Sequence, residues 1–96
     1  MDPTIEINER VDVVAVYKKQ GDISTLCMPC KMRWRNQEIN LTELALRHPT
    51  VAGKRMLHVF HVSDGTNAYR LEFDSEALTW TLVALMAGDY FELSPE

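Results

Sequence analysis

The sequence predicts an all-β chain: a single antiparallel meander of about five to six strands, forming a twisted sheet or a small SH3-like or split barrel. Three observations carry this expectation. Apolar residues recur with a period of two over most of the chain, as in Val11, Val13, Ala15 and Tyr17 set against Asp12, Val14, Val16 and Lys18. Turn-forming residues break these runs at roughly 10–13-residue intervals. No stretch alternates strand with helix in the rhythm of a βαβ unit, and no internal repeat is present.

The elements follow in order. Val11 to Lys18 is rich in β-branched residues and reads as a strand, with Gly21-Asp22 as the turn after it. Met32 and Trp34 alternate with Lys31, Arg33 and Arg35, giving one apolar and one cationic face, and Asn36-Gln37 turns the chain toward Ile39 and Leu41. Residues 41–48 allow two readings. Asn40 as cap, Glu43 and Pro49 suit a short helix. A bulge near Thr42-Glu43 would instead return Leu44 and Leu46 to the face of Ile39 and Leu41. The bent strand is preferred, because eight residues make a marginal helix.

His48 to Gly53 reads as a loop, and Arg55 to Ser63 as a strand. Asp64-Gly65 is the clearest turn, supplying the positive φ angles of a tight hairpin. Tyr69, Leu71 and Phe73 form the next strand, Asp74-Ser75-Glu76 turns it, and Leu78, Trp80 and Leu82 form the last. The expected core is Val13, Ala15, Trp34, Val59 or Phe60, Leu71, Phe73, Trp80 and Leu82. One domain fills residues 1–96, ordered over about 9–87, with 1–8 and 88–96 as loose termini.

The net charge of −4 argues against a generic nucleic-acid binder. Its distribution is uneven. Residues 31–55 hold six bases and two acids, a local +4, whereas the remainder holds four bases and twelve acids, −8. Lys31, Arg33, Arg35, Arg47, Lys54 and Arg55 are therefore candidates for binding nucleic acid or another polyanion, although cross-strand acids such as Glu38 or Glu72 can neutralise them. No apolar run is long enough for a membrane-spanning helix, and Met1-Asp2-Pro3-Thr4 lacks the features of a signal peptide. A reduced, cytoplasmic setting without membrane association is the expectation.

Cys27-Met28-Pro29-Cys30 is the most conspicuous motif. A Cys-x-x-Cys pair can form a redox dithiol or half of a zinc site, and His58 and His61 could complete the latter. Residues three apart on a strand face opposite sides, however, so neither pair chelates without a local turn. The plainer expectation is two small hydrophobes around a proline kink or bulge, with neither metal nor cofactor. Phosphate loops, nucleophile elbows and paired catalytic carboxylates are absent, so a non-enzymatic function is expected.

Met32 to Ile39, His58 to Val62, Ala68 to Asp74 and Thr79 to Leu82 together resemble a group of small uncharacterised bacterial β-domains. That group has a Trp-Arg hairpin, a middle strand, a Tyr-x-Leu strand and a closing Trp-x-Leu strand. The resemblance covers about residues 10–85, implies an all-β fold and assigns no active site. This chain departs from the group at Asn36, where the group has glycine, and in carrying Cys27 and Cys30. The functional expectation is an interaction or assembly module, self-associating through an edge strand or binding a protein partner. Polyanion binding is the alternative, and a redox or metal site at the cysteine pair a second one.

Overall fold

The computed structural model describes residues 4–20 and 24–86, and every regular element in them is a strand. The seven strands are β1 (Thr4–Gln20), β2 (Ser24–Trp34), β3 (Gln37–Asn40), β4 (Glu43–Ala52), β5 (Arg55–Ser63), β6 (Ala68–Asp74) and β7 (Thr79–Met86). They form one curled antiparallel sheet, a half-barrel, in the order β3-β2-β1-β7-β6-β5-β4. The outermost strands, β3 and β4, are consecutive in the chain and joined by Leu41 and Thr42 alone. The Leu41 amide donates to the Cys30 carbonyl at 2.9 Å and the Thr42 amide to the Ser63 carbonyl at 2.8 Å. Two successive amides thus reach toward β2 and then β5, so β3 and β4 act as one bent strand around which the sheet curls.

β1 is shared in the same way. It pairs with β7 from Thr4 to Val11 and with β2 from Asp12 to Gln20. A bulge lies between Glu6 and Glu9, where Asn8 adopts a φ of 56° that asparagine tolerates better than most residues. The bend lets one strand serve both parts of the curl.

The concave face holds the core. Cys27, Met32, Leu41, Phe60, Val62, Tyr69, Leu71, Trp80 and Leu82 are buried together, with Val13, Ala15, Trp34 and Phe73 packed around them. Trp80 lies between Phe60, at a ring separation of 5.3 Å, and Phe73, at 4.7 Å. Both Val59 and Phe60 are buried, and Phe60 is the one inside this cluster.

Several boundaries differ from the sequence expectation. Residues 4–8 are the first part of β1 rather than a loose segment, held by pairing with β7. Residues 48–52, expected as a loop, are strand: Pro49 sits opposite His58 on the outermost strand, where a missing N–H leaves no gap in the sheet. The bulge expected near Thr42-Glu43 falls at Ala45 instead. Leu44 therefore packs on the core while Leu46 turns outward. The β2–β3 hairpin turns at Arg35-Asn36 rather than at Asn36-Gln37, both residues in the left-handed region at φ 52° and 63° and closed by the Trp34–Gln37 pair. At the Asp64 turn, Gly65 adopts φ 96° while Asp64 instead accepts from the amides of Thr66 and Asn67. The turn expected at Gly21-Asp22 and the loose segment expected at 88–96 lie outside the described residues. No helix among the described residues is long and apolar enough to cross a membrane.

Candidate functional site: the open edge of β1

The predicted cationic residues fall on two hairpins. Lys31, Arg33 and Arg35 belong to the β2–β3 hairpin, and Arg47, Lys54 and Arg55 to the β4–β5 hairpin. Acids stand beside four of the six. Lys31 Nζ lies 3.8 Å from Glu38, and Arg33 is in register with Asp12 on one side and Glu38 on the other. Arg35 grips Glu9 through two bonds, at 2.6 and 3.3 Å, while the Trp34 indole N–H donates to the same carboxylate at 2.8 Å. Hydrogen bonds from Arg35 first, and then from Trp34, hold the Glu9 carboxyl below its ordinary pKa. The Arg35 guanidinium also sits over the Trp34 ring, 4.8 Å from its centre. Arg55 pairs with the buried Asp74, which caps the β6–β7 turn by accepting from the Glu76 and Ala77 amides. Lys54 is exposed in the β4–β5 turn. Glu38 neutralises as the sequence suggested; Glu72 lies on β6, between Val59 and Thr81.

The cysteine pair sits at a break in β2. Val14 pairs with Lys31 and Ala15 with Pro29, so Cys30 is the extra residue of a bulge. Its thiol donates to the Met28 carbonyl at 3.4 Å. Cys27 is buried, and burial raises its thiol pKa, against the nearby Tyr17 hydroxyl and Arg47 charge, which lower it. That is the opposite of an activated thiolate. His58 and His61 point to opposite faces: the His58 ring is 6.5 Å from Phe73, that of His61 6.2 Å from His48. Cys27 and His58 line one small cavity of about 170 Å³ with Tyr17, Arg47, Phe60 and Phe73. No group of three or more His, Cys, Asp or Glu among the described residues is placed to hold a metal.

The feature that the sequence does not announce is an edge in the middle of the chain of strands. Among the described residues, β1 from Asp12 onward has a paired neighbour on one side only, because β7 begins at Thr79 and its pairing with β1 ends at Val11. Beside this edge opens a cleft of about 550 Å³, lined by Val11, Val13, Tyr17, Phe73, Leu78 and Trp80 with Arg10, Asp12 and Arg33 at its rim. Large apolar side chains are exposed around it: Val14 and Tyr17 at 60%, Leu78 at 73%. Exposed apolar groups clustered at an open edge mark a surface suited to contact with another chain.

The other open edges carry features that discourage strand addition. β3 has four residues and bears Glu38, β4 contains Pro49 and a bulge, and the first half of β1 bulges at Asn8. The part of β2 beyond β3 holds Pro29 and the Cys30 bulge. Residues 12–20 of β1 contain no proline and no glycine, and the nearby irregularity belongs to β2, so β1 itself stays regular.

Comparison with known proteins adds no relative: no protein-family model, no curated protein and no solved structure matches the chain.

Proposed function

We propose that the protein is an assembly module that associates through the open edge of β1, by adding a strand beside residues 12–20. One observation carries the reading: among the open edges of the described residues, this one alone combines regular extended backbone with exposed β-branched and aromatic side chains. Strand addition supplies backbone hydrogen bonds that an open edge offers to any extended segment, and the alternating side chains supply selectivity. Each cationic side chain of the β2–β3 hairpin has an acid beside it, which weakens the competing polyanion reading.

Sedimentation velocity across a concentration series tests this directly. The wild-type chain is expected to show species heavier than its 11.0 kDa monomer as concentration rises. Val16→Glu, which places a charge on the exposed face of the edge, should return it to the monomer with its circular dichroism unchanged. Leu46→Glu, on the opposite outer strand, should leave association intact. A chain that is monomeric throughout, or one that loses association with Leu46→Glu but keeps it with Val16→Glu, overturns the proposal.

A further inference from the structure

Resting on that reading, we infer that the occupant of the edge is a second copy of this chain, paired antiparallel about a two-fold axis at Ala15. A self-complementary interface requires one patch to satisfy itself under a two-fold rotation. For antiparallel strands, fixing the axis at a residue fixes every partner. With the axis at Ala15, Asp12 faces Lys18 of the second copy, Val13 faces its Tyr17 and Val14 faces its Val16, and each pair recurs on the other side.

Alternation sorts these pairs onto two faces. Asp12, Val14, Val16 and Lys18 are all exposed and share the outer face, so its row reads acid–base, valine–valine, valine–valine, base–acid. Opposite charges and β-branched pairs placed directly across are the combinations that stabilise an antiparallel ladder. On the inner face, Tyr17 of the second copy comes over Val13 at the cleft of about 550 Å³ lined by Phe73, Leu78 and Trp80. An aromatic ring beside an apolar cleft is the kind of anchor that dominates interface energies.

The fold also limits the alternatives. Val11 is already paired to Trp80, so the added strand ends opposite Asp12. With the axis at Ala15, the ladder then runs from Asp12 to Lys18 and finishes on a charge pair at both ends. Moving the axis to Val14 sets Asp12 against Val16 and drives Tyr17 toward the occupied Val11. Moving it to Val16 sets Asp12 against Gln20 and Val14 against Lys18. Neither alternative pairs opposite charges. A seven-residue ladder is a small interface, and its affinity belongs in the micromolar range.

A charge-exchange experiment reads the register. In Asp12→Lys two Lys–Lys pairs face each other across the dimer, and in Lys18→Glu two Asp–Glu pairs do. An equimolar mixture of the two variants forms a heterodimer in which one pair is native and the other exchanged, both attractive. Sedimentation equilibrium should find each variant alone weakened by about tenfold or more, and the mixture restored to within about threefold of wild type. Thermal melting of each variant confirms that the fold is kept. If Val16→Glu abolishes the dimer while the charge variants leave it unchanged, or the mixture is not restored, the two-fold at Ala15 is wrong and the edge reading stands. If Val16→Glu also leaves the mass unchanged, both are wrong.

Discussion

Asp64 shows how one side chain can hold a turn without glycine at every strained position. Its carboxylate accepts from the Thr66 amide at 2.8 Å, the Asn67 amide at 2.7 Å and the Tyr69 hydroxyl at 2.8 Å. Burial raises the carboxyl pKa, but these donors, led by the Asn67 and Thr66 amides, outweigh it and leave the group below its ordinary value. Tyr69 moves the other way: burial, with the Asp64 hydrogen bond second, pushes its phenol up to about 12. The signs set two pH windows. A depressed carboxyl stabilises the fold above its unfolded pKa, and that contribution is lost as pH falls through its lower folded value. A raised phenol stabilises the fold fully below its unfolded pKa of 10.0, and that contribution fades as pH climbs toward about 12. Phenolate absorbance should show a tyrosine titrating at a pH of about 12, and Tyr69→Phe should remove that step while the smaller upward shift of Tyr17, from burial and Cys27, remains. Asp64→Ala, which leaves the buried Tyr69 hydroxyl without its acceptor, should cost about 1–3 kcal/mol in denaturant unfolding.

At the level of the element, the β2–β3 hairpin carries strain in its turn. Arg35 and Asn36 both occupy left-handed backbone, the geometry of a two-residue turn whose twist matches the strands. Asparagine tolerates that region and arginine less so; the Arg35–Glu9 bonds and the Trp34 ring help to hold Arg35 there. Replacing Asn36 by glycine should therefore stabilise the protein by about 0.5 kcal/mol, seen as a higher melting temperature. A β-branched residue at the same position should lower it.

The elements were legible in the sequence where a period of two met a solvent-facing and a core-facing side, as in β6 and β7. Legibility failed where the decisive contact is remote. Pro49 reads as a loop signal locally, and only its place on the outermost strand makes it compatible with β4. Glu9 and Arg35 are 26 residues apart, so nothing local tells that this arginine has a partner. The open edge of β1 is legible in part: Val11 to Tyr17 announces a strand, but whether its far side is covered depends on where β7 begins.

For the whole molecule, stability rests on a single concave core closed by strand pairing. Leu71 and Leu82 are fully buried and in register with each other at the centre of the sheet. Leu71→Ala should cost about 2–5 kcal/mol, a large share of what a domain of this size possesses, and should lower the denaturant midpoint accordingly. The loss acts through β5, β6 and β7 together, since Leu71 faces Phe60 on one side and Leu82 on the other.

The pairing of β1 with β7 has a consequence for how the chain reaches this state. The other five pairings join strands consecutive in sequence, each formed by folding a hairpin. Thr4 meets Met86 only when almost the whole described chain has been drawn into a loop. That closure carries the largest entropic cost and cannot be nucleated locally. It places refolding with the slower all-β domains, in milliseconds to seconds. Until it forms, both sides of the first half of β1 remain open, so a slow closure lengthens the time for which that edge is exposed to other chains during refolding.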